Sequence, residues 1–114
     1  MDILKHEYLI PIVLVKEKET LNLVKKLKRI AKQQFHLFSD SFGFFQRLRY
    51  TCHDVNFKNK DLLVCDLINF SEKLEDYCFP VIIVCDKWTA DFVHDNSDVI
   101  ESTFVVVNYS DLSI

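Results

Sequence analysis

Apolar positions along this chain fall into short continuous runs and into stretches spaced by three and four residues, and the two patterns alternate. Residues 10–15 form a continuous β-branched and aliphatic run, the mark of a strand buried on both faces. Thr20 is placed to cap a following helix. In that helix Leu23, Val24, Leu27, Ile30 and Ala31 recur at helical spacing, with Lys25, Lys26, Lys28, Arg29 and Lys32 on the other side. Residues 35–38 read as a second strand, and Ser41 as the cap of a second helix with Phe44, Phe45 and Leu48 inward. The run 62–67 reads as a third strand. Ser71 then opens a short helix that contains Leu74 and ends before Pro80. Residues 81–84 are a fourth strand, 88–94 a short helix packing through Trp88, Phe92 and Val93, and 103–107 a fifth strand.

Buried strands separated by helices imply βαβ units and a mostly parallel sheet. Right-handed crossovers limit the topologies. The expectation is an α/β, flavodoxin-like domain with a five-stranded parallel sheet in the order 2-1-3-4-5, flanked by helices. In such folds a site lies outside the carboxyl ends of the strands, at the switch point. That directs attention to Val15-Lys16-Glu17 and Cys65-Asp66-Leu67.

Composition adds bounds. The 114 residues amount to a single domain spanning 1–114, and an apolar fraction of 49% is ample for a core. One Gly (Gly43) and two Pro (Pro11, Pro80) argue against a loop-rich fold. A net charge of −3 lacks the basic excess of a nucleic-acid binder, so no nucleic-acid partner is expected. The longest apolar run near the start falls far short of the ~20 residues that span a bilayer, so neither a membrane association nor a targeting segment is expected. Cys52, Cys65, Cys78 and Cys85 form no C-x-x-C pair and read as reduced, buried thiols of a cytoplasmic protein.

The segment Lys60-Asp61-Leu62-Leu63-Val64-Cys65-Asp66-Leu67 resembles the third strand of the receiver domain of bacterial response regulators. Phe79-Pro80-Val81-Ile82-Ile83-Val84-Cys85 resembles that family's fourth strand, and the resemblance runs from Tyr8 to Tyr109. It implies a two-component signal-transduction module whose phosphoacceptor is Asp66. It also identifies the departures. The family's acidic pair after the first strand is here Lys16 and Glu17, so a Mg²⁺ ion would keep only Glu17 and Asp66 as weak ligands. The hydroxyl ending the fourth strand is replaced by Cys85, a weak donor. The family's fifth-strand Lys falls on Val107 or Asn108, and its last helix is missing. Lys16 is placed to pair with Asp66 where the metal would sit.

These departures imply a degenerate pseudo-receiver: no enzyme and no cofactor (Mg²⁺ only with an active pocket), acting through contact with a protein partner or as a homodimer. By resemblance, Trp88, Phe92 and Tyr109 are candidate contact residues. Losing a helix would bare an apolar strip near Phe104, Val106 and Tyr109. At about 25 cal/mol per Å², that is several kcal/mol against a net stability of ~5–15 kcal/mol, so something should cover it. One alternative is a working phosphoacceptor at Asp66. Another is an unrelated small α/β structural or interaction protein, which a different sheet order would select. The four histidines show no ligand spacing, the Lys-rich helix face reads as solvated, and no Gly-rich loop follows the first strand.

Overall fold

The computed structural model describes residues 6–31 and 34–112, with the backbone alone at Phe44 and Phe45. Five strands, β1 (Leu9–Leu14), β2 (His36–Ser39), β3 (Thr51–Asp54), β4 (Phe79–Val84) and β5 (Val105–Asn108), form one all-parallel sheet. Helices α1 (Thr20–Ile30) and α2 (Phe44–Arg49) connect the first three strands. Helix α3 (Lys60–Glu72) precedes β4, and α4 (Lys87–Asp95) with α5 (Ser97–Thr103) leads into β5. A 3₁₀ turn, Tyr109–Asp111, follows β5.

The sheet order is 3-2-1-4-5, which corrects the expected 2-1-3-4-5. The cause is one misassigned element. The run 62–67 is not a strand but the middle of α3, and the third strand is the less apolar Thr51–Asp54. Short apolar runs do not distinguish a buried strand from a helix. Here the local signals favour the helix. The Asn59 side chain accepts from the Leu62 N–H, capping it (3.1 Å), and the fully buried residues are Leu63 and Leu67, one helical turn apart. No helix starts at Ser71: Ser71 and Glu72 are the last two residues of α3, and Leu74 lies beyond its end.

The new position of β3 follows from chain length. Eleven residues separate β2 from β3, and they hold only the six-residue α2. A link this short delivers the chain to the neighbouring position, about 4.8 Å away, on the side of β2 remote from β1. The longer α3 connection then returns across β1.

Each strand sends alternate residues to two cores. Ile12, Leu14, Phe38, Ile82 and Val84 pack with Leu63 and Leu67 of α3, Phe92 of α4 and Ile100 of α5. Val13, Val15, Leu37, Val81 and Ile83 pack with Val24 and Leu27 of α1 and with Tyr50 after α2. Pro11 is tolerated in the central strand for a definite reason. Val15 N–H bonds Phe38 O, so the alternation would aim the missing Pro11 donor toward β2, ahead of the first β1–β2 pair, Ile12↔His36.

Several local expectations change. Thr20 is the first residue of α1 and donates its hydroxyl to Asp86 rather than capping the helix. Helix α2 starts after Gly43, whose N–H donates to Gln46 Oε1, and not at Ser41. Leu48 is 67% exposed, not inward. Lys32 lies outside the described residues, as do the side chains of Phe44 and Phe45. The apolar strip is also relocated. Phe104 and Val106 belong to the core under α3–α5. The register Val81↔Val105 and Ile83↔Val107 instead places Val105 and Val107 on the α1 face, where Val105 is 44% exposed.

Candidate functional site

In this order the chain leaves β1 for one face of the sheet and β4 for the other, so the crevice at their carboxyl ends is the switch point. It is occupied by the protein's own side chains. Thr20 Oγ1 donates to Asp86 Oδ2 (2.8 Å), while Asp86 Oδ1 accepts the Thr89 N–H (2.8 Å) and caps α4. The first N–H groups of α1 are also engaged: Thr20, Leu21 and Asn22 donate to the carbonyls of Glu17, Lys18 and Glu19, each at 3.1 Å. A phosphate cradle needs free backbone donors and usually glycine at such a turn. Here the donors are engaged and a carboxylate occupies the α4 cap. Burial, and after it the neighbouring Asp86 charge, pushes the Cys85 thiol up to about 12, so it stays protonated and is a poor nucleophile.

Asp86 therefore has a structural task. Asp86→Ala removes the α4 cap and strands the buried Thr20 hydroxyl. The expected cost is about 1–2 kcal/mol, read as a lower urea midpoint at unchanged slope. A midpoint equal to wild type would mean that this latch contributes nothing.

The residues singled out in the sequence do not converge. Lys16 and Glu17 are exposed and line a cleft of about 460 Å³ at the carboxyl ends of β1 and β2, beside Ser39, Phe42 and Gln46. Asp66 is half-buried on α3 and lines a different cleft of about 510 Å³, with His53, Asp54, Asn69 and Lys73. The expected Lys16–Asp66 pair is thus absent: Lys16 points to solvent, and the two residues line separate clefts. Among the described residues no three His, Cys, Asp or Glu side chains stand together as a metal site. Trp88 is half-buried, edge-on to Phe57 (4.8 Å) and stacked over Phe92 (5.5 Å). Phe92 is 1% exposed and serves the core, so it is not available as a surface anchor. Tyr109 is half-buried against the α1-side core. All four cysteines are free, and Cys65 is exposed on α3 rather than buried in a strand.

The structure also brings together two residues that sequence reading left without a role. His36 Nδ1 and His53 Nε2 lie 3.0 Å apart on adjacent strands. The register Phe38↔His53 stacks Phe38 on the His53 ring (4.5 Å), and Phe70 of α3 covers both imidazoles. Burial, and then the neighbouring His53, holds His36 down to about 4; burial chiefly lowers His53 as well. Both rings are therefore neutral at pH 7, one donating and the other accepting. Asp54, on the same strand, is paired with Arg47 of α2 (2.8 and 3.2 Å), which holds its carboxyl below the usual range.

Charge is divided between the two layers of helices. Segment 16–49, which supplies α1 and α2, carries nine Lys or Arg against three Asp or Glu. Segment 60–111, which supplies α3, α4 and α5, carries three against eleven. A net charge of −3 conceals this. Comparison with family models, with curated proteins and with solved structures gives no match. The fold is α/β, with a five-stranded all-parallel sheet flanked by helices. Among the described residues no helix is long and apolar enough to cross a membrane.

Proposed function

We propose that this chain is a non-enzymatic α/β interaction module that works by protein–protein contact. The observation that carries this reading is the segregation of charge. The α1–α2 layer is strongly basic, the α3–α5 layer strongly acidic, and the sheet separates them. Such a distribution steers and orients a charged partner. The switch point weighs in the same direction, since the Asp86 carboxylate caps α4 there and would repel a nucleotide or other anionic cofactor. A cytoplasmic setting, where free thiols stay reduced, suits the four unpaired cysteines.

Two versions of this reading exist, a degenerate receiver in signalling and an unrelated α/β interaction protein. The segment 79–85 supports the first, because most of it does form a buried strand. The segment 60–67 lends it no support, because it is helical. The order 3-2-1-4-5 favours the second version. A working phosphoacceptor would need Asp66 beside Glu17 and a cation, and those side chains line separate clefts.

Intact mass after incubation with Mg²⁺ and a small phosphodonor tests the absence of phosphoryl transfer, with Asp66→Asn alongside. The expected result is no adduct on either protein. An adduct on wild type that the Asn variant lacks would make the chain a phosphoacceptor and end the present reading.

A further inference from the structure

We propose that the groove between α1 and α2 is a docking site for an extended acidic segment of a partner protein that carries an apolar residue. This rests on the interaction-module reading and names its partner. The groove consists of two adjoining clefts, of about 220 and 480 Å³, that share Lys25, Arg49 and Tyr50. Lys18 extends it at one end, and Lys28 with Arg29 at the other. Among the described residues no carboxylate lines either cleft. Among the described residues none of these five cations is ion-paired.

One wall is held in place. Lys28 Nζ donates to the Arg49 carbonyl (2.6 Å) and lies 4.6 Å from the centre of the Tyr50 ring, tying α1 to the end of α2. Lys25, Arg29 and Arg49 are exposed and remain available to carboxylates. Asn22 and Gln46 add amides suited to a peptide backbone. Half-buried Leu21 lines the groove and offers an apolar contact.

Other polyanions fit less well. Single-stranded nucleic acid binds basic grooves through bases stacked on aromatic rings. The groove's aromatic, Tyr50, is buried with Lys28 over it. Eleven acidic residues in the other layer would also repel a long polyanion. Membrane docking calls for several apolar anchors beside the cations. The described side chains lining the two clefts offer Leu21 and Tyr50 as their apolar groups, neither of them exposed. A second copy could offer its acidic layer, but basic-to-acidic stacking is head-to-tail and gives rings or filaments rather than a two-fold dimer.

The probe is a labelled Glu-rich peptide containing one leucine, followed by fluorescence anisotropy. Binding to the full chain is expected, and it should weaken at least about tenfold when salt rises from about 0.05 to about 0.5 M. The variant Lys25→Glu/Arg29→Glu/Arg49→Glu should weaken it by at least as much. A milder Lys25→Gln/Arg29→Gln variant should fall between, which guards against misfolding of the triple variant. The pair Asp98→Lys/Glu101→Lys, in the acidic layer, should not weaken binding. No binding by wild type, or binding indifferent to the three reversals, overturns the proposal. So does tighter binding of oligo-dT or of anionic vesicles through the same residues, or salt-sensitive growth of the protein alone that the reversals abolish. A phosphoryl adduct at Asp66 would defeat the broader reading while leaving the groove result as measured. A peptide failure without an adduct would defeat the groove alone.

Discussion

Between pH 7 and pH 4.5 the domain is expected to lose about 1–2 kcal/mol of stability, with His36 as the main cause. Its ring pairs with His53 under Phe70, and its pKa falls from the usual 6.5 to about 4. A histidine whose folded pKa is depressed stabilises the fold above its unfolded value. That contribution is lost as pH falls from about 6.5 toward 4, because the unfolded chain takes up the proton first. The full displacement, 2.5 pH units, would correspond to about 3.4 kcal/mol. The ring is only partly buried, so solvent screening reduces this to about 1–2 kcal/mol. His53 adds in the same direction. Asp54 loses its ion pair only below its ordinary value of 3.8, outside this window. Urea unfolding across the window checks the expectation, with His36→Gln as the non-titrating comparison. The Gln variant should show a clearly flatter profile. An identical slope in both proteins would clear His36 of the role.

The strands read most directly from sequence were those buried on both faces; β2 and the edge strand β5 were also legible, at 35–38 and 103–107. Residues 10–15 and 81–84 are uninterrupted aliphatic runs, and β1 and β4 occupy them within a residue or two at each end. The third strand could not be read in the same way. Thr51–Asp54 is a half-buried edge strand containing Cys, His and Asp, and its stability comes from pairing with β2 rather than from its own hydrophobicity. The apolar run 62–67 took its place, and the strand order then followed from the wrong segment.

The site was less legible than the fold for the same reason. Reading Asp66 at a strand end would put it beside Lys16, whereas on α3 it belongs to another cleft. The His36–His53 contact joins residues 17 apart through a parallel register that no local pattern reveals. The latch between Thr20 and Asp86 spans 66 residues and likewise leaves no trace in spacing. The charge division did leave one. Nine cations against three anions in segment 16–49 is visible in the bare sequence, and it disappears only when charge is summed over the whole chain.

The helical placement of residues 60–72 carries both the sheet order and the position of Asp66, and it makes a sharp prediction about side chains. In α3, Leu63 and Leu67 are fully buried, while Leu62 is 46% exposed and Cys65 is exposed. Leu67→Ala removes a side chain packed between the sheet and the neighbouring helices and should cost about 3–4 kcal/mol; Leu63→Ala should be similar. Leu62→Ala and Cys65→Ser should each stay within about 0.5–1 kcal/mol of wild type. A central parallel strand over 62–67 would give another pattern, since it is buried on both faces and every position would be sensitive. Chemical denaturation of the four variants therefore distinguishes a period of four from no period at all. Losses at Leu62 and Cys65 as large as at Leu63 and Leu67 would return the segment to the sheet. The expected split would keep Asp66 on the helix, away from Lys16 and Glu17, and so keep phosphoryl chemistry out of the account of this domain.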